Sequence, residues 1–416
     1  MNATSNVIDQ EKMAVILQGM VGDDHDGFYY TNFSGVGRSL NYYPVGEEKT
    51  EEGVVELAAG LGSYIVDGGK ALRFSPAHPD KVLQTSTLQL ALRDTQTYLH
   101  ALPLKDVESY RFTPDDTFNI QKVAVADAFK SGALKYMVST FDVNDQVIRD
   151  NEIGPGRKVL TFANVLRHGS FPLAHISEFM LTTGQYEMGR PVEIEFAGKI
   201  FPKPDEHGRR GIVYWLQIRP IVDQKEMLDD NVTETDDSEL LLRSDTALGH
   251  GLMDGLKYLI YVKPEAFDVL KTHDIAAQVG EINEVMSKNG DPYILIGPGR
   301  WGTSDPSLGI PVRWAQISGA RLIIECAIPG LRVEPSQGTH FFQNLTSFGT
   351  GYFTIDTERG NGYIDREYIK SLPCERETEY LKIIKFDEPL TIAINGRKSK
   401  GVVFKTAPHR EEHPEL

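Results

Sequence analysis

The chain contains little cysteine, few bases for its many acids, and no long apolar run. Cys326 and Cys374 are its two cysteines, far apart and without metal-ligand spacing. This excludes a disulfide-stapled scaffold and favours a reduced, cytoplasmic compartment. The apolar runs fall short of the roughly twenty residues of a membrane span, and the N-terminus lacks a basic, apolar signal sequence. The net charge of −16 argues against a nucleic-acid partner, because nothing would offset the repulsion.

The length of 416 residues and the hydrophobic content of 40% predict two or three domains with real cores. A charge run, EMLDDNVTETDDSELLL, is acidic over its first two-thirds and contains no base. Such a run is typical of a solvated linker. We therefore predict an N-terminal domain of residues 1–226, an acidic linker of residues 227–241 and a C-terminal domain of residues 242–416.

The most informative pattern is a pair of strand-like segments, GRPVEIEF and YWLQIRP, with a polar stretch between them. Glu193 and Glu195 are two residues apart and therefore share one face of a strand. Gln217 and Arg219 share a face of the second strand by the same rule. If the two strands pair as a hairpin, one surface carries two acids, an amide and a guanidinium.

This combination of side chains suits a nucleoside triphosphate with its metal ion. Carboxylates bind Mg²⁺ through oxygen, and arginine binds phosphate with a two-pronged fork. The alternative is an ordinary half-buried hairpin whose charged face is solvated.

The two segments also resemble the Asp-Ile-Glu-Trp … Leu-Gln-x-Arg-Pro signature of the phosphoenolpyruvate synthase and pyruvate phosphate dikinase family, whose strands close an ATP-grasp nucleotide site. Glu193 stands where the family usually has Asp. The resemblance implies that Glu193 and Glu195 are Mg²⁺ ligands and that Arg219 is a catalytic residue that clamps phosphate. It also implies that Gln217 orients the nucleotide or a metal-bound water.

The N-terminal segments continue the resemblance. The run MAVILQGM, residues 13–20, has the length and β-branching of a buried strand; residues 27–31 form a second strand, and residues 32–38 are rich in turn formers. The first run resembles the family's Val-x-Val-Gln-x-Met-Val, the hinge whose backbone reads adenine. The residues that would bind the cofactor there are Gln18, Gly19, Met20 and Val21.

Two further segments match the family. Residues 54–62 resemble the strand that leads to Gly-Leu-Gly-Glu, but Ser63 stands where Glu is usual, which puts a contact to the ribose in doubt. Residues 171–187 resemble the amphipathic helix before the acid strand, and we expect its apolar residues to face the core. These residues are Leu173, Ile176, Phe179 and Met180.

The C-terminal region has strand-like runs at residues 259–262, 293–296, 320–325 and 352–355, and a helical stretch at residues 275–289. This layout is similar to the swivelling phosphohistidine domain of the family, in which a turn places a histidine at a helix start.

His340, after Gly338 and Thr339, occupies that position, and Gly349 would close the helix. A neutral imidazole accepts a phosphoryl group near pH 7, and a helix N-terminus stabilises the product. The alternative is a histidine that caps a helix or satisfies a core hydrogen bond. His250 is a weaker candidate.

We therefore predict an α+β protein: an ATP-grasp second lobe, with a mixed or antiparallel sheet and helices, followed by a C-terminal α/β domain of the swivelling type. The expected function is an ATP- and Mg²⁺-dependent phosphotransferase that transfers phosphate through His340 to pyruvate. The alternatives are a catalytically incomplete or regulatory nucleotide-binding module, and a phosphotransferase with another acceptor, such as a glucan or an antibiotic.

The expected partners are ATP, pyruvate or phosphoenolpyruvate, and a first ATP-grasp lobe, with no nucleic acid and no membrane. In the family that first lobe precedes the hinge and covers the phosphates. We expect it to come from the same longer protein or from another chain, and this chain alone to be inactive.

Overall fold

A computed structural model describes residues 17–105, 119–150, 154–221, 232–303, 305–333, 345 and 349–406. These residues contain both helices and strands, with several strands following one another directly, so the predicted α+β class is confirmed. Among them, no helix combines the length and the apolar character needed to cross a membrane. Cys326 is buried, Cys374 is exposed, and both are free thiols.

In the N-terminal part, residues 17–221, the described residues form three sheets. Its strands are β1 Asp23–His25, β2 Phe28–Tyr30, β3 Phe33–Arg38, β4 Val54–Ala58, β5 Leu72–Phe74, β6 Tyr98–Pro103, β7 Gln121–Ala124, β8 Val138–Asp142, β9 Val147–Arg149, β10 Arg157–Leu160, β11 Val192–Ile200 and β12 Gly211–Pro220. Its helices are α1 Ser63–Val66, α2 Leu88–Asp94, α3 Val125–Lys130, α4 Ala163–Leu166 and α5 Leu173–Met188. The sheets have the orders β12-β11-β3-β4-β5, β1-β2-β6-β7 and β10-β8-β9.

The five-stranded sheet has one apolar and one charged face. Ile194 of β11 and Val55 of β4 are fully buried and share a core with Met180 and Leu181 of α5. Helix α5 begins and ends close to the predicted bounds, and Gly189, in the left-handed conformation, caps its C-terminus.

Phe179 departs from the predicted core, because its side chain is 67% exposed. The buried positions of α5 are Leu173, Ser177, Met180, Leu181 and Gly184. They recur at intervals of three or four residues and define a single stripe. Phe179 lies outside that stripe, so the prediction for this residue is wrong.

The segment expected to be turn-rich, residues 32–38, is also different: most of it forms β3, the central strand between β11 and β4. Its glycines serve packing rather than turns. A Cβ atom on Gly35 would lie 2.2 Å from the ring of Phe196 on β11. Glycine inside a strand often marks such a close approach.

The C-terminal part, residues 232–406, is built around one large sheet. Its strands are β13 Leu240–Ser244, β14 Thr246–Leu248, β15 Gly251–Val262, β16 Tyr293–Pro298, β17 Arg300–Trp301, β18 Gly309–Ile310, β19 Ala320–Cys326, β20 Gly351–Ile355, β21 Tyr363–Ile364, β22 Arg376–Glu377, β23 Leu381–Asn395 and β24 Lys400–Phe404. Its helices are α6 Thr272–Asn289 and α7 Arg366–Ser371. The four strand-like runs and the long helix predicted here are therefore confirmed.

The large sheet follows the order β14-β20-β19-β16-β15-β23-β24-β13-β21, and β22 pairs with β23. Strands β15, β16, β19 and β20 are mutually parallel, and the remaining neighbours are antiparallel. Helix α6 packs against one face through Ile275, Val279 and Ile282. The sheet curls so that its parallel and antiparallel portions share a second core, in which Gly401 of β24 leaves room for the ring of Phe353 on β20.

Strand β13 begins within the stretch predicted as linker. Leu240 and Leu241 are its first residues, and both are fully buried. Residues 227–231, the first part of that stretch, lie outside the described residues.

The two parts are in contact through residues 39–52. The backbone N–H of Gly249 donates to the carbonyl of Tyr42 over 3.0 Å, and the hydroxyl of Thr50 donates to the carbonyl of Gly396 over 3.3 Å. The loop after β3 therefore attaches the N-terminal part to the large sheet.

Candidate functional site

The acid strand and the arginine strand form the predicted hairpin. Strands β11 and β12 are antiparallel, with Glu193 opposite Arg219 and Glu195 opposite Gln217. Residues directly opposite each other in a sheet point to the same face. The sequence thus predicted both the pairing and the shared face, and all four side chains lie on the charged side of the five-stranded sheet.

The carboxylate of Glu193 is held between two arginines. Arg219 donates to its Oε1 from Nε (2.8 Å) and also from Nη2, and Arg38 donates to its Oε2 from Nε over 2.7 Å. Burial alone would raise the pKa of Glu193, but the charges and hydrogen bonds of Arg38 and Arg219 outweigh it, so the pKa lies below its ordinary value. Glu193 is therefore ionised at neutral pH and fixes both guanidiniums.

Arg38 is a site residue that sequence reasoning missed. It is the last residue of β3, directly opposite Glu193. Residues 32–38 were predicted to be turns, so Arg38 was not expected to lie on a sheet face. The available signal was the alternation of Ser34, Val36 and Arg38 between glycines, which is compatible with a strand.

Glu195 and Gln217 occupy the next row of this face. Glu195 is partly exposed and Gln217 is exposed, so both can reach a ligand above the sheet. Their oxygens are of the hard type that Mg²⁺ prefers. In the described part of the chain no group of three or more His, Cys, Asp or Glu side chains could hold a metal ion. The donor set therefore fits Mg²⁺ held by one or two carboxylates together with substrate phosphates, rather than in an all-protein cage.

The predicted hinge residues lie beside the hairpin. Gln18 donates from Nε2 to the carbonyl of Leu216 over 3.0 Å, at the bulge that shifts the β11–β12 register. Residues 17–20 do not form the predicted buried strand, and Leu17 is 93% exposed. The side-chain hydrogen bond of Gln18, rather than a ladder of backbone hydrogen bonds, attaches residues 17–20 to β12. Residues 13–16 lie outside the described residues.

The carbonyl of Met20 accepts a hydrogen bond from the hydroxyl of Tyr29 over 3.0 Å. Gly19 is exposed, and a Cβ atom added to it would have no neighbour within 4 Å. Val21 is partly exposed. The hinge backbone is therefore accessible beside the charged face.

The glycine-rich loop, residues 60–62, lies against Ser34 on the same face of β3 as Arg38. A Cβ atom on Gly62 would lie 3.8 Å from the Cβ of Ser34, whose buried hydroxyl has no hydrogen-bond partner among the described residues. Ser63, where the family has Glu, shares a hydrogen bond of 2.9 Å with Nδ1 of His100. Burial lowers the pKa of His100; Asp67 raises it and Lys122 lowers it further.

A cleft of about 860 Å³ lies elsewhere, beside the contact between the two parts, and its lining includes Glu52, Glu178 and Arg397. It includes none of the four hairpin residues. We assign it no part in the nucleotide site.

A comparison with protein-family models supplies the decisive observation. The family described as pyruvate phosphate dikinase, AMP/ATP-binding domain, matches residues 4–240, more than half of the chain.

The chain belongs to this pyruvate phosphate dikinase family. The match contains the whole charged hairpin, the hinge and the glycine-rich loop, so these elements lie in an ATP-binding domain of a phosphotransferase family. A comparison with curated proteins finds no match.

The remaining predicted site residue, His340, lies outside the described residues, together with Gly338 and Thr339. His250, the weaker candidate, lies in the contact between the two parts. Its Nδ1 accepts the backbone N–H of Gly396 over 3.2 Å.

Proposed function

We propose that the charged hairpin face binds the triphosphate of Mg²⁺-ATP and that the protein is an ATP-dependent phosphotransferase. The observation that carries the proposal is the register of the hairpin. It places Glu193 opposite Arg219 and Glu195 opposite Gln217 on an accessible face within an ATP-binding domain.

Each side chain has a role that its position supports. Arg219 binds phosphate, since its side chain is 59% exposed although Glu193 holds one edge of it. Glu195 is the readier Mg²⁺ ligand, because within the described residues its carboxylate accepts no hydrogen bond. Glu193 would supply the second ligand oxygen once one of its arginines no longer binds that oxygen. Mg²⁺ there would neutralise phosphate charge, and Gln217 would orient the nucleotide.

Adenine is proposed to lie against the backbone of Gln18 to Val21. The bond from Gln18 to Leu216 fixes this segment next to Gln217 and so relates the adenine position to the phosphate position. Positioning of this kind supplies much of the rate enhancement in phosphoryl transfer.

The phosphoryl acceptor is proposed to be His340. A ring nitrogen forms a bond to phosphorus, the P–O bond to the nucleotide breaks, and the nucleotide leaves with the electron pair. Pyruvate loses a methyl proton to a base and becomes the enolate, whose oxygen forms a bond to phosphorus. The N–P bond breaks, and its electron pair returns to the imidazole.

A second candidate is a nucleotide-binding module without phosphoryl transfer. The observation that favours it is Ser63, whose hydroxyl is engaged with buried His100 at the position where the family has a carboxylate.

Labelled ATP distinguishes the two candidates. The protein, supplemented with the first ATP-grasp lobe, is incubated with Mg²⁺ and with ATP labelled in its β- and γ-phosphates, and the label is tested for stability in acid and base. The phosphotransferase proposal predicts an acid-labile, base-stable label that His340→Ala removes and His250→Ala preserves. ATP binding without label would favour the module, and label that persists in His340→Ala would overturn the assignment of the acceptor.

A further inference from the structure

We infer that Arg38 is a second phosphate-binding residue, and that Arg38 and Arg219 exchange Glu193 for the phosphates when the nucleotide binds. This inference rests on the proposed function of the same face. It adds a ligand-binding residue from β3, which lies outside the hairpin. It also states that both arginines bind Glu193 before the nucleotide binds and bind phosphate afterwards.

The geometry gives the two arginines equivalent places. Glu193 lies on the strand between them, opposite Arg219 on one side and Arg38 on the other. Each guanidinium uses its Nε edge on one carboxylate oxygen. The side chains of Arg38 and Arg219 are 43% and 59% exposed, whereas that of Glu193 is 11% exposed. The two guanidiniums are therefore accessible on the charged face, and the carboxylate of Glu193 lies buried between them.

Arg38 retains capacity for a ligand. Within the described residues the only hydrogen bond of its guanidinium is the one to Glu193. Glu56 is its other acidic neighbour, with Oε1 at 4.0 Å from Nη1, which is beyond hydrogen-bond length. A phosphate oxygen above the sheet can thus be bound by Arg38 and Arg219 together, in the planar geometry that guanidinium favours.

The charges on the face select the ligand class. Glu193, Glu195 and Glu56 share the face with Arg38 and Arg219. When phosphate binds the two guanidiniums, the carboxylate of Glu193 loses its ion-pair partners. A buried carboxylate without a partner is unfavourable in free energy. A divalent cation compensates it. The face therefore suits an oligophosphate that arrives together with Mg²⁺.

The test uses inorganic tripolyphosphate as the probe, because it has no adenine to bind the hinge. Affinities for tripolyphosphate and for adenosine are measured by calorimetry, with and without Mg²⁺. Arg38→Ala should weaken tripolyphosphate binding about tenfold or more, as expected for a lost hydrogen bond to a charged group, and leave adenosine binding unchanged. Arg38→Lys should recover part of the loss. Lys199→Ala is the matched control, since Lys199 lies on the same face of β11 but is paired with Asp23.

A second pair of variants tests the exchange itself. Glu193→Gln removes the competitor of phosphate, so tripolyphosphate binding without Mg²⁺ should become stronger, and its enhancement by Mg²⁺ smaller, than in Glu56→Gln. Glu56→Gln removes the same charge from the same face without removing a hydrogen bond to Arg38. Thermal unfolding verifies that each variant is folded.

The outcomes separate the two claims. If Arg219→Ala weakens tripolyphosphate binding and Arg38→Ala does not, the inference about Arg38 is wrong and the proposed function stands. Equal effects of Glu193→Gln and Glu56→Gln would overturn the exchange. If wild-type protein binds neither tripolyphosphate nor Mg²⁺-ATP at millimolar concentrations, the proposed function fails.

Discussion

The ring of Tyr42 stacks on the imidazole of His250, with centroids 4.4 Å apart and planes 7° from parallel. Tyr42 belongs to the loop that follows β3, and His250 lies directly before β15 of the large sheet. The same loop is fixed to β5 by Arg73, which donates to Glu48 and to the carbonyl of Tyr43. The stacked pair therefore connects the core of the ATP-binding domain to the C-terminal part.

Removing the ring of Tyr42 should weaken this connection. Tyr42→Ala is expected to destabilise the protein by about 1 kcal/mol or more, because stacked aromatic pairs contribute about 0.5–1.5 kcal/mol beyond the area that they bury. Tyr42→Phe keeps the ring and should lose less stability than Tyr42→Ala in a urea titration. Equal destabilisation by Ala and Phe would show that the hydroxyl, rather than the stacking, matters.

The close approach at Gly35 gives a second prediction. Gly35→Ala should cost about 1–3 kcal/mol, the usual range for overpacking a core, because its new methyl group would meet the ring of Phe196 at 2.2 Å. Gly154→Ala is the control, since a Cβ atom there has no neighbour within 4 Å. Similar stabilities for both variants in urea unfolding would contradict the packing described for β3 and β11.

Burial of His100 gives a prediction for acidic pH. Because its pKa is lowered in the folded protein, the unfolded chain binds the additional proton first. The stability that neutral His100 contributes is fully present above its ordinary pKa of 6.5 and is lost as the pH falls below that value toward the folded pKa. Unfolding free energies of wild type and His100→Asn should therefore converge as the pH falls below 6.5. Parallel pH profiles would exclude this contribution.

The hairpin could be predicted from sequence because local rules determine it. Residues two apart share a strand face, and the polar stretch between the segments fixes which residues pair. Strand β3 could not be predicted in the same way. Gly35 and Gly37 read as turn formers, and the reason for Gly35 is the ring of Phe196, more than 150 residues away in sequence.

Contacts between residues distant in sequence also explain the other differences between the predictions and the structure. From the local sequence, Ser63 is only the loss of a carboxylate, but its hydrogen-bond partner, His100, comes from strand β6. The exposure of Phe179 depends on where the sheet contacts α5, which the helical period alone does not determine for a residue beside the buried stripe. Alternation is compatible with a strand that contains Arg38, but only the pairing of β3 with β11 puts Arg38 opposite Glu193.

The central claim is that Arg219 and its neighbours bind the phosphates of ATP. The most direct test is to measure the affinity for Mg²⁺-ATP by calorimetry, up to millimolar nucleotide. The three proteins compared are wild type, Arg219→Ala and Arg219→Lys. We expect Arg219→Ala to weaken binding by roughly tenfold to a hundredfold, as for a lost hydrogen bond to a charged group. Arg219→Lys should be weakened as well, since an ammonium group cannot reproduce the planar fork. Equal affinities in all three proteins, or no binding by wild type, would contradict the account.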